Sequence, residues 1–129
     1  MKESNSQKRT AILIVEDDPH SQLYFNKLLS GTYETAVVAS ASEAWDHLHR
    51  EAFDLVLMDI SLTGGEDGLS LTRRLRREDA FAALPIVAVT AYAFPEDRQK
   101  ALDAGCTDYL SKPVSSTDLH RKIAELTGQ

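Results

Sequence analysis

Glu16 and Asp17 follow the apolar run Ala11-Ile12-Leu13-Ile14-Val15, and Asp59 ends another, Phe53-Asp54-Leu55-Val56-Leu57-Met58. If these runs form adjacent parallel strands, three carboxylates meet at one strand end. Like charges crowded into a partly dry crevice repel and disfavour one another's ionisation unless a cation joins them, so a divalent metal is the natural companion. A third run, Ile86-Val87-Ala88-Val89, ends in Thr90, and Lys112 follows a fourth, Tyr109-Leu110. An acid pair, a lone acid, a hydroxyl and a lysine therefore occur in order, each at the end of an apolar run.

The elements that must bring these groups together can be read from the same runs. Strands are predicted at about 11–16, 34–39, 53–59, 85–90 and 107–110, short stretches that are apolar or β-branched. Apolar residues at every position, rather than at every second one, indicate burial on both faces and a parallel sheet sandwiched by helices. The helices carry start and stop signals. Asp18-Pro19 opens the first and Ser30-Gly31 closes it, while Ser40 with Glu43 is a capping-box pattern. Ala41, Ala44, Trp45 and Leu48 then share one face, with Trp45 a core contact. The third helix starts near Gly68 and carries Leu71 and Leu75, and the fourth runs from Pro95 to Ala104-Gly105. The fifth opens at Ser115 and buries Leu119, Ile123 and Leu126. Five repeats of strand then helix predict a doubly wound α/β three-layer sandwich with a five-stranded parallel sheet and five helices, in strand order 2-1-3-4-5. Ligands of such sheets bind beyond the carboxyl ends of the strands where the winding reverses, between strands one and three, and Glu16, Asp17 and Asp59 fall there.

Composition narrows the function classes. The 129 residues, 43% hydrophobic and 26% charged, suit one domain at about 10–127 behind a disordered polar tail at 1–9. No apolar stretch approaches the ~20 residues of a membrane span, and residues 1–10 lack the apolar centre of a signal peptide, so a soluble cytoplasmic protein is expected. Cys106 is the only cysteine and is read as structural. A net charge of −6 argues against nucleic-acid binding. The cluster Arg73, Arg74, Arg76 and Arg77 is read as the wet face of an amphipathic helix. His47 and His49 are two apart on a helix and diverge, and His20 and His120 stand alone and are read as surface residues, so no histidine metal site is expected.

Four segments, Val15-Glu16-Asp17-Asp18-Pro19, Leu57-Met58-Asp59-Ile60, Val89-Thr90-Ala91 and Tyr109-Leu110-Ser111-Lys112-Pro113, together resemble the receiver domain of bacterial two-component response regulators, of the stand-alone chemotaxis-regulator kind. The resemblance covers about residues 10–127 and implies a flavodoxin-like fold. It implies that Asp59 is the phosphoacceptor, taking a phosphoryl group from a phosphohistidine on a histidine kinase or histidine phosphotransfer protein. An ionised carboxylate is an adequate nucleophile for such a transfer, in which positioning and charge neutralisation supply most of the catalysis. Glu16 and Asp17 would hold Mg²⁺ (or Mn²⁺) with one Asp59 oxygen, the backbone carbonyl of Ser61 and waters, and Asp18 would cap the first helix instead. Lys112 would pair with a phosphate oxygen, or with Asp59 in its absence, behind a cis Lys112-Pro113 peptide. Thr90 would donate to the phosphate and Tyr109 would fill the space it vacates, shifting the face formed by the fourth helix, fifth strand and fifth helix towards an unidentified protein target.

The chain departs from the family in the segment Ile60-Ser61-Leu62-Thr63-Gly64-Gly65-Glu66-Asp67-Gly68, where the common pattern has proline at 63 and one residue fewer before the final glycine. A more flexible loop is expected, either a neutral turn variant or one that reshapes access to Asp59. Ser61 and Tyr92 occupy the positions that tune phosphoryl lifetime in the family, and Tyr92 is expected to shield the acyl phosphate from water. The alternatives weighed are a receiver belonging to a hybrid sensor histidine kinase and a phosphate-independent interaction module. An aspartyl-phosphate phosphohydrolase is disfavoured because it would need a second acid where Ser61 stands, so no enzyme in the ordinary sense is expected.

Overall fold

A strand apolar at every position needs cover on both faces, and the structure, a computed structural model describing residues 9–91 and 94–128, supplies it. The strands β1 (Ala11–Val15), β2 (Glu34–Val38), β3 (Leu55–Asp59), β4 (Ile86–Thr90) and β5 (Asp108–Ser111) alternate with the helices α1 (Pro19–Leu29), α2 (Ala41–Arg50), α3 (Gly68–Arg76), α4 (Pro95–Ala104) and α5 (Ser116–Thr127). Every pairing is parallel and the order is β2-β1-β3-β4-β5. This is the predicted topology. Alternate residues of each strand serve alternate faces. Ile12, Ile14, Leu55, Leu57, Val87 and Val89 pack with Phe25 and Leu29 of α1 and Leu119 and Ile123 of α5. Leu13, Val15, Val56, Met58, Ile86 and Ala88 pack instead with Leu48 of α2, Leu71 and Leu75 of α3 and Ala101 of α4. Fully burying an aliphatic side chain contributes about 1.5–3 kcal/mol, so each layer is held by several such terms.

The helix starts follow the sequence signals. Side-chain oxygens of Asp18, Ser40, Asp67 and Ser115 each accept a backbone N–H from the first turn of α1, α2, α3 and α5. Helix α4 ends at Gly105, whose φ of 112° suits a residue without Cβ. Boundaries differ from the predicted ones by a residue or two. Strand β3 begins at Leu55 because Asp54 leaves the pattern: its carboxylate accepts the Ala11 N–H at 2.7 Å. A 3₁₀ turn at Asp79–Phe81 was not predicted, since three residues carry no periodicity. Arg9, assigned to the tail, hydrogen-bonds the Ser30 and Thr32 carbonyls. The rest of the predicted tail, residues 1–8, lies outside the described residues.

Two surface readings need correction. The arginines of α3 are not uniformly a wet face. Arg74 lies 4.3 Å from the Trp45 ring centroid and grips Glu66 with two nitrogens. Arg76 donates to the Gly105 and Phe81 carbonyls at 2.8 and 2.6 Å, fastening α3 to the neighbouring loops. His120 is likewise half-buried, stacked on Tyr33 and bonded to the Leu28 carbonyl. These contacts join residues distant in sequence, which amphipathic periodicity does not encode. Cys106 is buried in the core, as read, and burial raises its thiol pKa.

Candidate functional site

The register places the site. Val15 pairs with Met58, so Glu16 comes level with Asp59, and Thr90 pairs with Ser111, so Lys112 emerges one step beyond Thr90. The ladder continues past the strands: Glu16 N–H donates to the Val38 carbonyl and Lys112 N–H to that of Thr90. Carboxylate oxygens of Glu16, Asp17 and Asp59 come within 4.8 Å of one another. Topology alone therefore brings together acids separated by more than forty positions.

Their environments differ. Glu16 is 1% exposed, with one oxygen 2.9 Å from Lys112 Nζ and the other accepting the Asp18 N–H at 3.0 Å. Burial pushes its pKa up, the Lys112 hydrogen bond opposes this, and the nearby Asp59 reinforces it. Asp17 sits at the rim. Thr63 donates to its Oδ2 through both the hydroxyl (2.8 Å) and the N–H (3.0 Å), and these bonds lower its pKa. Asp59 is 4% exposed, with Oδ1 accepting the Ser61 N–H at 2.8 Å and Oδ2 3.7 Å from Lys112 Nζ. Burial works against the Lys112 charge, but the Glu16 bond and the neighbouring acids outweigh it and raise the ammonium pKa. Lys112 thus hydrogen-bonds Glu16 and forms a longer ion pair with Asp59, so one ammonium serves two buried acids.

Thr90 is fully buried at the end of β4. Tyr109 pairs with Ala88, two residues before Thr90, which places Thr90 and Tyr109 on the same face of the sheet. Tyr109 is half-buried against the core on that face, and this burial raises its phenol pKa. The Lys112-Pro113 peptide is cis. Tyr92 lies outside the described residues. Beneath Asp59, Gly68 has a physical reason to be glycine: a Cβ there would stand 2.6 Å from the Asp59 carbonyl oxygen and 3.0 Å from Met58 Cγ.

Chemically, three carboxylates with one ammonium among them offer hard oxygen ligands to a small divalent cation. The buried Glu16, its ionisation disfavoured, is the sort of group such a cation relieves. Sequence reasoning missed the loop partners Thr63, Glu66 and Arg74. The available signal was Thr63 itself, which puts two hydrogen-bond donors where the common pattern has proline, a residue with none.

The response regulator receiver domain model matches residues 12–124. Among similar proteins, the sensor protein GacS of Pseudomonas syringae pv. syringae is 35% identical over 127 residues, 95% of this chain but 14% of GacS. The polar-differentiation response regulator DivK of Brucella anthropi is 36% identical over 106 residues, 81% of this chain and 85% of DivK. The receiver domain of sensor histidine kinase PA1611 from Pseudomonas aeruginosa PAO1, solved with a magnesium ion coordinated in its active-site cleft, is 35% identical with a TM-score of 0.86, covering 94% of this chain and 99% of that one. No helix among the described residues is long and apolar enough to cross a membrane.

Proposed function

The chain belongs to the response regulator receiver family, and from that premise we propose that Asp59 accepts a phosphoryl group from a phosphohistidine of a histidine kinase or histidine phosphotransfer protein. The observation that carries this reading is the meeting of Glu16, Asp17 and Asp59 within 4.8 Å beside the Lys112 ammonium. In the transfer an Asp59 oxygen forms a P–O bond as the P–N bond to the donor imidazole breaks, and the imidazole leaves with the electron pair. Ser61 N–H, bonded to Oδ1, fixes the carboxylate's orientation. Lys112, near both Glu16 and Asp59, supplies a fixed positive charge for a phosphoryl oxygen.

Glu16, Asp17, Asp59 and the Ser61 carbonyl would hold Mg²⁺ or Mn²⁺. When bound, such a cation supplies positive charge opposite the transferring phosphoryl oxygens. Both Glu16 oxygens already have donors, so its share is chiefly negative charge, whereas Asp17 at the rim is the more open ligand. The donor approaches over α1, whose exposed Tyr24 lines a cleft of about 450 Å³ together with His20, Lys112 and Pro113. Thr90 and Tyr109, on one face of the sheet, carry the change to the surface of α4, β5 and α5, where Phe94 is exposed at the head of α4. The output is control of a protein partner. GacS contains a matching region as a small part of its length and DivK as most of its length, and the proposed transfer is compatible with a donor in the same polypeptide or in a separate one.

Incubation with Mg²⁺ and a small-molecule phosphodonor, read by intact mass, tests the assignment. One phosphoryl group gained by the wild type and none by Asp59→Asn is the expected result. A folded protein that gains none, or an Asp59→Asn variant that gains one equally, refutes it.

A further inference from the structure

Thr63 stands in the loop between β3 and α3, at the position where the resemblance calls for proline. Its N–H and hydroxyl both fall on Oδ2 of Asp17, a residue 46 positions away at the end of β1. Proline could make neither bond, having no N–H and no hydroxyl. The loop reaches Asp17 through a turn at Gly64, whose φ of 75° favours glycine. Its far end is anchored to α3, where Glu66 accepts from Ser70 Oγ and from two nitrogens of Arg74. A loop with two adjacent glycines is thus pinned at both ends, and one of the pins is an acid of the site.

We propose that Thr63 is a positioning residue for the divalent cation, an inference that rests on the receiver reading of the site. With both donors on Oδ2, the Asp17 carboxylate is fixed in one orientation and Oδ1 is the oxygen a cation takes without displacing either bond. Donors that orient a ligating carboxylate usually change metal affinity by about 10- to 100-fold when removed. Thr63 is exposed, so the lower end of that range applies. For the same reason its bonds add little to stability in the cation-free protein.

The test is Mg²⁺ titration of the unphosphorylated protein by calorimetry, comparing wild type with Thr63→Val, Thr63→Ser and Asp17→Asn. Valine keeps the shape and the N–H but removes the hydroxyl. The expected result is roughly tenfold weaker Mg²⁺ binding by Thr63→Val, restoration by Thr63→Ser, and an unchanged melting temperature in EDTA for both. Thr63→Val binding Mg²⁺ as tightly as wild type or more tightly, while Asp17→Asn binds weakly, overturns the role of Thr63 and leaves the site reading intact. Wild type that takes up no Mg²⁺, or Asp17→Asn that matches it, overturns both.

Discussion

Replacing Asp59 with asparagine should stabilise the cation-free protein, because the site gathers negative charge that the fold does not need. At separations up to 4.8 Å and an effective dielectric of about 20, Asp59 and Glu16 repel by about 3.5 kcal/mol or more. Asp17, at the solvent rim, adds about 1 kcal/mol in water-like surroundings. Against this, Lys112 Nζ at 3.7 Å attracts Asp59 by up to about 4.5 kcal/mol at the same dielectric. The lysine side chain is one-quarter exposed and already bonded to Glu16, so that attraction is discounted to about 2–3 kcal/mol. Asparagine keeps an oxygen for the Ser61 N–H, and Lys112 keeps Glu16. The balance is a gain of about 1.5–2.5 kcal/mol, or roughly 5–9 °C in melting temperature. Urea unfolding in EDTA measures it. Repeating the experiment with Mg²⁺ at about a hundred times its Kd should add about 2.7 kcal/mol to the wild type and much less to the variant, reversing their order. An Asp59→Asn protein less stable than wild type in EDTA would refute the reasoning, because the lysine would then outweigh the crowded acids.

Gly68→Ala should lose about 1–3 kcal/mol in urea unfolding, since the new Cβ meets the Asp59 carbonyl and neither neighbouring backbone segment can yield cheaply. Its phosphodonor reaction should slow as Asp59 is displaced. Arg76→Lys should be destabilised by about 1–3 kcal/mol in the same assay, because one ammonium cannot replace the guanidinium fork on the Gly105 and Phe81 carbonyls. His49 bonds the Trp45 carbonyl through Nδ1 and Glu78 through Nε2, and these contacts raise its pKa above the ordinary histidine value of 6.5. A raised folded pKa means that its stabilising contribution is complete below about pH 6.5 and lost as pH rises through the folded value. Fluorescence of Trp45, whose ring centroid is 4.1 Å from that of His49, should titrate above pH 6.5 and cease to do so in His49→Gln; a midpoint at or below 6.5 would contradict it.

What the sequence made legible is what periodicity and chain order determine. Ile12 to Val15 and Leu55 to Met58 read as doubly covered strands because every position is apolar, and both faces are indeed packed. Once those strands are parallel neighbours, a register that pairs Val15 with Met58 makes the meeting of Glu16 and Asp59 a geometric consequence. The capping roles of Asp18, Ser40 and Ser115 were legible because the bonds are local, reaching three residues on. Partners beyond these were less legible. Lys112 pairs with Asp59 as expected, at 3.7 Å, but its shorter contact, the hydrogen bond to Glu16, was not foreseen, since no spacing rule ranks two acids at one strand end. The reach of Arg76 to Gly105 and of His49 to Glu78 spans 29 residues in each case, and depends on how α3 settles against its neighbours.

The loop after β3 shows how a departure from a family pattern can be weighed physically. Two consecutive glycines enlarge the set of conformations that the free loop can visit, and ordering it costs more than ordering a shorter loop with proline. Thr63 on Asp17 and Glu66 on Arg74 fix the loop at either end. The same bonds make the orientation of Asp17 a property of the loop as well as of β1. A substitution that loosens Gly64-Gly65 or removes Arg74 should therefore be felt at the acids, whereas in a proline-bearing loop no donor at this position would link the two.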